Sequence, residues 1–281
     1  MEKRKLTYQH MAAFEQYLIS EERCTGTVEK YLRDVGALYV WAKDQALTRE
    51  LVLAWKEHLV ETGYATSTVN SMLAAVNTFF KFMNWSDCRV KFLKVQKKMF
   101  RDPGKELTHE EYRRLVDTAG RTGRKRLALL IETIGATGIR VSEVPCITVE
   151  AAVKGSTEIS LKGKIRRILL PGKLCRKLLK YARKNKIPSG EIFITRSGKG
   201  LTRKQIWAEM KKLCYEAGVE PSKVFPHNLR HLFAAAYYRH FKDISSLADI
   251  LGHSSVETTR IYLLTSGEEH IRRLEGLGLV S

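Results

Sequence analysis

The sequence predicts a mainly α-helical protein with a small antiparallel β-sheet in its C-terminal part: an N-terminal four-helix bundle followed by an α+β domain. Three observations carry this. The first hundred residues repeat apolar side chains at helical spacing in four separate stripes. A stretch near 158–170 changes character and reads as two short strands around a tight turn. The chain has 281 residues, too many for one ordinary domain and suited to two.

Tyr8, Met11, Phe14 and Leu18 form the first stripe, and Val28, Tyr31, Val35, Leu38 and Trp41 the second. Thr48 suits the N-cap of a third helix carrying Leu51, Trp55 and Leu59. Thr66 or Ser67 opens a fourth with Val69, Leu73, Val76 and Phe80, and the aromatic residues in these stripes read as core. Four short helices with short connections make a small bundle. From Phe92 to Leu107 the period is lost in a basic run containing Pro103-Gly104, which reads as a linker. The expected division is a helical domain over 1–92, a linker over 93–107 and a second domain over 108–281.

The second domain opens at Thr108, where Thr-His-Glu-Glu111 matches a capping box. An apolar helix with Leu127, Leu130, Ile131 and Ile134 should end near Gly135. Glu158–Leu161 and Ile165–Leu170 are expected strands flanking Lys162-Gly163-Lys164. A helix around 173–185 and a short strand at Glu191–Thr195 follow. From Thr202 the chain reads as mostly helical, with breaks at Gly218–Pro226 and Gly252.

Composition narrows the function. A hydrophobic share of 44% fills real cores and excludes a disordered chain. Basic residues number 49 against 30 acidic, a net charge of +19 that attracts a polyanion, with nucleic acid favoured over a membrane surface or an acidic protein. Residues 1–100 hold 15 basic and 11 acidic side chains, and residues 101–281 hold 34 and 19, so the second part carries most of the field. Five scattered cysteines without C-x-x-C spacing suggest reduced thiols in a cytoplasmic protein. The first residues lack an apolar signal core, and no run is long enough to cross a bilayer.

Five patterns in the second part carry chemistry. Gly135-Ala-Thr-Gly138-Ile-Arg140-Val-Ser-Glu143 uses two glycines to turn the backbone and project Arg140. The turn Lys162-Gly163-Lys164 offers a lysine to a groove, with Arg166 and Arg167 on the returning strand. In Pro226-His227-Asn-Leu-Arg230-His231, positions i and i+3 aim His227 and Arg230 at one ligand, while His231 reads as a packed histidine on another face. Leu251-Gly252-His253 sets a histidine after a helix-ending glycine, and Tyr262 follows nine positions on.

Together these residues suit one reaction. An anionic phosphodiester needs cations over its non-bridging oxygens, and Arg140, Arg230 and His253 are donors of that kind. A tyrosine can hold the phosphoryl group in a covalent ester, and its phenol (pKa near ~10) also leaves when the strand is rejoined. The departing 5′-oxygen needs an acid, a role open to Lys162. No metal motif or nucleotide-binding loop is evident, and this scheme requires no cofactor.

The five patterns, in this order, resemble the tyrosine recombinase (phage-type integrase) family over essentially the whole chain. The resemblance implies a SAM-like core-binding bundle, a basic linker and a catalytic domain, in a minimal two-domain member without an arm-binding domain. It implies Arg140 and Arg230 as catalytic arginines, Glu143 as their supporting partner, and His227 and His253 as catalytic histidines. Lys162 matches the hairpin lysine, with Lys164 as the alternative, and Tyr262 the nucleophile. It further implies a 3′-phosphotyrosyl intermediate, a Holliday junction, and a homotetramer clamped on two double-stranded DNA sites, with accessory DNA-bending proteins as further partners. The tail bearing Ile271, Leu274 and Leu277 would pack on a neighbouring protomer or on its own domain. The biological task is expected to be integration or excision of a mobile element, with Xer-like replicon dimer resolution as the alternative. A type IB topoisomerase shares the chemistry, and a non-catalytic DNA-binding protein could share the scaffold, but the latter would not need this full residue set. A metal-dependent nuclease would need clustered carboxylates that the sequence lacks.

Overall fold

The computed structural model describes residues 4–43, 45–95, 103–161, 164–253, 255–260, 262, 271–272 and 274–277. The chain divides into two compact units, Met1–Lys97 and Lys98–Ser281.

The first unit contains four α-helices: α1 (Tyr8–Ser20), α2 (Thr25–Ala42), α3 (Arg49–Glu61) and α4 (Thr66–Phe82). Their shared core holds Phe14, Leu18, Val35, Leu38, Trp55, Leu73, Val76 and Phe80, in line with the four apolar stripes. Tyr8 departs from its stripe: at 71% exposure it lies outside the core and meets Tyr39 edge-on at 5.0 Å. Thr48 caps α3 by accepting a hydrogen bond from Leu51 N at 3.2 Å. The start of α4 has no such bond, because Thr66 is already helical and Ala65 occupies the cap.

Two asparagines on α4 organise the segment that leaves this unit. Asn77 donates to the carbonyl of Val90 at 2.9 Å and accepts from its N–H at 3.1 Å. Asn70, two turns earlier, does the same with Leu93 at 2.9 and 2.8 Å. Each amide satisfies both backbone groups of one residue, which neither a helix nor a sheet would otherwise pair.

The second unit begins with α5 (His109–Arg121), and both bonds of the expected capping box are present, at 2.8 and 3.1 Å. Helix α6 (Lys125–Thr137) carries the apolar run into the core through Leu127, Leu130, Ile131 and Ile134. It ends later than expected. Gly135 lies inside the helix, where a Cβ would stand 2.8 Å from the Tyr112 ring, and only Gly138 turns the chain, at φ +62°. The first glycine therefore serves close packing and the second the turn.

After a 3-10 turn over Val141–Cys146 and α7 (Val149–Lys154), strands β1 (Ser156–Leu161) and β2 (Lys164–Leu169) pair antiparallel, with Ile159 opposite Arg166. Both strands start earlier than the sequence suggested, and β2 ends one residue sooner. The expected strand at Glu191–Thr195 does not form. Single bridges, Thr148 to Glu191 and Ile194 to Gly200, replace it, because Ile192 and Phe193 are both buried and the segment does not alternate. Helices α8 (Gly172–Lys184), α9 (Arg203–Ala217), α10 (Pro226–Phe241), α11 (Ile244–Leu251) and α12 (Val256–Arg260) complete the unit. Most of them enclose one large core. Ala234, Leu247, Leu251 and Tyr262 form a smaller cluster beside it. No helix among the described residues is long and apolar enough to cross a membrane.

Replacing Asn77 with Ala leaves the buried N–H and C=O of Val90 without their partners. Asn77→Ala is expected to destabilise the first unit by about 1–3 kcal/mol, read by urea unfolding followed by circular dichroism. Asn70→Ala, nearer solvent, should cost less.

Candidate active site

The site is built around the C-terminus of α11. The last carbonyls of any helix lack intrahelical partners and carry partial negative charge. Here three consecutive ones each accept from a different arginine. Arg166 donates to Ile250 O through Nε at 3.0 Å and Nη2 at 2.7 Å, Arg230 to Leu251 O at 2.8 Å, and Arg140 to Gly252 O at 3.4 Å. Arg230 also donates to Gly138 O at 2.6 Å, just past the end of α6. Two helix ends thus converge on one cationic cluster.

The local sequence explains why each guanidinium arrives there. Gly138 lets the chain leave α6, and a Cβ at that position would lie 2.5 Å from the Phe233 ring. Arg140 follows immediately, and Glu143 closes back on it: Oε2 accepts from the Arg140 N–H at 2.8 Å and Oε1 from its Nη1 at 2.9 Å. The Glu143 side chain is fully buried and also takes Arg166 Nη1 on Oε2 at 2.7 Å. Arg230 projects inward from α10 and is 2% exposed. Asn228 holds the start of that helix by donating to Lys105 O at 2.9 Å and Lys223 O at 2.7 Å. Gly252 ends α11 at φ +64°, where a Cβ would stand 2.4 Å from Arg166 Cδ. The glycines at 138 and 252 are thus required both for the turn and for room.

His253 follows Gly252 and its ring is held at both nitrogens. Arg230 Nη2 lies 2.9 Å from Nε2, and Thr259 Oγ1 lies 2.9 Å from Nδ1. Arginine can only donate, so Nε2 accepts, the ring proton sits on Nδ1, and Thr259 receives it. Desolvation, then Arg230, Arg140 and Arg166, push the His253 pKa down to about 4. Desolvation and the same Arg230 and Arg140 also lower that of His227. Burial lowers the pKa of Arg230 itself, while the neighbouring Tyr262 hydroxyl acts against that.

Tyr262 is 3% exposed and enclosed by imidazoles. His253 stacks on its ring at 5.8 Å, His231 meets it edge-on at 4.3 Å, and His227 lies 6.3 Å away. His231 does not occupy a separate face as the sequence suggested. One helical turn from His227, it stands 5.1 Å from that ring and packs directly on the tyrosine.

The structure thus gathers Arg140, Glu143, His227, Arg230, His253 and Tyr262, residues far apart in sequence, into one cluster. Lys162 lies outside the described residues, and Lys164 begins β2 opposite Leu161. Sequence reasoning passed over Arg166, Asn228 and Thr259 as parts of this assembly. Thr259 carried one signal, its place three residues before Tyr262 on a helical period. Of the three guanidiniums here, Arg140 and Arg166 bond Glu143 while Arg230 bonds carbonyls and His253, and this surplus of positive charge suits an anionic phosphodiester. No group of three metal-ligating side chains stands together among the described residues.

A helical bundle joined in sequence to an α+β unit with this basic, tyrosine-bearing cluster defines a class, and comparison with known proteins agrees. The Phage integrase family matches residues 105–268, and the SAM-like N-terminal domain of phage integrases matches residues 11–87. The chain belongs to the phage integrase family, the tyrosine recombinases. It is 29% identical over 271 residues to tyrosine recombinase XerA of Thermococcus kodakarensis, covering 93% of this chain and 92% of that one. It is 27% identical over 279 residues to tyrosine recombinase XerD of Haemophilus influenzae, covering 92% and 93%. Among solved structures, its fold resembles a lambda integrase tetramer bound to a Holliday junction, with TM-score 0.74, 17% identity, and coverage of 91% of this chain and 76% of that one. It also resembles the Tn1549 transposon integrase in complex with transposon right end DNA, with TM-score 0.71, 16% identity, and coverage of 97% and 99%.

The lowered pKa of His253 has a stability consequence with a definite sign. Between about 4 and its ordinary 6.5, the native ring stays neutral while the unfolded ring takes up a proton. Stability from this residue is complete above pH 6.5 and is lost as pH falls towards 4. His227 acts in the same direction. Urea unfolding at pH 7 and pH 5 should show a drop that His253→Gln reduces, and an imidazole NMR signal assigned to His253 (by its loss in His253→Gln) that titrates near 6.5 would contradict the packing described.

Proposed function

We propose that this chain is a site-specific DNA recombinase in which Tyr262 is the nucleophile. One observation carries the reading: the tyrosine ring lies against His253 while His253 and Arg140 share the α11 terminus with the buried Arg230. The family membership and the relatives named as tyrosine recombinases support it.

In this reaction Arg140 and Arg230 donate to the non-bridging oxygens of the scissile phosphate. His253 joins them once the phosphate draws Arg230 from Nε2 and the ring proton shifts there, Thr259 then donating to Nδ1. The Tyr262 hydroxyl gives its proton to the neutral His227 as its oxygen bonds to phosphorus, the 5′-oxygen leaves, and Lys162 supplies the proton that oxygen needs. The 3′-phosphotyrosyl link conserves the energy of the broken bond. A 5′-hydroxyl from the partner duplex then attacks the link and releases the phenol. Two such rounds pass through a Holliday junction in a homotetramer on two double-stranded sites.

Residues 1–92 serve as the core-binding domain, 93–107 as the linker and 108–281 as the catalytic domain. In the tail, Ile271, Leu274 and Leu277 are each more than half exposed, which supports packing on a neighbouring protomer. Accessory DNA-bending proteins and a cytoplasmic location accord with this function. The task we assign is integration or excision of a mobile element. Xer-like resolution of replicon dimers is the second reading, favoured by the Xer names of the relatives.

A nicked suicide duplex made from the DNA flanking the gene tests the nucleophile. Wild-type protein should give a covalent adduct on a denaturing gel, and Tyr262→Phe should bind the same duplex without forming one. An adduct in the Phe variant would overturn the assignment. Two-site plasmids then separate the tasks by product topology.

A further inference from the structure

Arg166 is the one guanidinium of the cluster that the proposed mechanism does not use. It lies on β2, where alternation turns it to the covered face with Ile168 while Ile165 faces out at 77% exposure. Its side chain is only 10% exposed, against 39% for Arg140. A cation this far from water is destabilising unless its donors are satisfied. All three donor nitrogens are engaged: Nη1 with Glu143, and Nε and Nη2 with the Ile250 carbonyl.

We propose that Arg166 is a positioning residue that joins Glu143 to the end of α11 and so sets Arg140 and His253 in register for the phosphate. This rests on the recombinase reading above. Two consequences follow from the bonds. Arg166 occupies Glu143 Oε2, leaving Oε1 for Arg140 Nη1, so the carboxylate cannot swing and Arg140 keeps its direction. Arg166 also grips Ile250 O, three residues before His253, and so holds the loop that presents the imidazole to Arg230. Gly252 is fitted to this bridge, since any side chain there would strike Arg166 Cδ. Because each of its three nitrogens already bonds a protein oxygen and its side chain is held between β2 and the end of α11, Arg166 acts through Glu143 and the His253 loop.

A lysine separates bridging from charge. Arg166→Lys keeps the cation, but one ammonium lacks the planar fork that reaches Glu143 and Ile250 O together. The readouts are single-turnover adduct formation at saturating protein on the nicked flanking-DNA duplex, Kd for that duplex by mobility shift, and thermal melting. Arg166→Lys should slow adduct formation by about 10–100-fold, the scale expected of a misplaced catalytic group, with Kd within about threefold and melting nearly unchanged. Glu143→Gln should also slow it, and the double variant should be little slower than the worse single one, because both changes break one bridge.

A wild-type rate in Arg166→Lys, multiplicative effects in the double variant, or a rate loss matched by lost binding or lost folded protein would each overturn the proposal. If the Lys variant does not fold, Arg166→Gln takes its place with the same readouts, and failure of both to fold makes the role structural and overturns it too. Absence of a wild-type adduct would overturn the recombinase reading and this one with it. An adduct lost in Tyr262→Phe but undiminished in Arg166→Lys would overturn this one alone.

Discussion

Everything at the site depends on the C-terminal carbonyls of a helix only eight residues long, Ile244–Leu251. Three guanidiniums within hydrogen-bonding reach of one short segment repel one another, and a lone carboxylate offsets only part of that repulsion. The carbonyls of Ile250, Leu251 and Gly252 supply the rest as fixed dipoles. Dipoles compensate positive charge without cancelling it, as further carboxylates would. The cluster therefore stays electropositive and is organised before any anion arrives, the condition under which electrostatic stabilisation is most effective.

The same arrangement governs proton positions. Arg230 forces His253 into one neutral tautomer, and Thr259 accepts the remaining proton. Burial first, and then the guanidiniums that make the site attractive to phosphate, lower the pKa of both His253 and His227. An entering phosphodiester would offset that positive field and compete with His253 for Arg230. Histidine chemistry here is thus coupled to phosphate binding through one shared donor. Tyr262, packed between His253 and His231, lies where that exchange would be felt.

Much of this was legible from residue order. Tyr8 and the paired asparagines aside, the first unit follows its apolar periodicity, because short amphipathic helices bury what their period presents. The capping box at Thr108 and the stop at Gly252 are local devices and appear where the chain spells them. The functional residues were legible for a different reason: their types and order match a known family's. Errors arose where one residue type serves two ends. Gly135 reads as a turn glycine but packs against Tyr112, and Glu191–Thr195 reads as a strand but finds only single bridges.

The hairpin shows where sequence alone stops. In Lys164-Ile-Arg-Arg-Ile-Leu169 an apolar residue stands next to each arginine, so period-two reasoning can turn either set inward. Tertiary structure exposes Ile165 and turns Arg166 to the covered face, because that face holds Glu143 and the open end of α11, which a cation satisfies. Residue order alone was enough for a helical bundle, an α+β unit, a basic field, and Arg140, Glu143, His227, Arg230, His253 and Tyr262 as candidates. That Arg166 and Thr259 join them, that His231 packs on the tyrosine, and which nitrogen of His253 carries the proton follow from the folded contacts alone. Those outcomes depend on contacts between distant segments, such as Arg166 to Ile250 across 84 residues, and no local pattern encodes such distances.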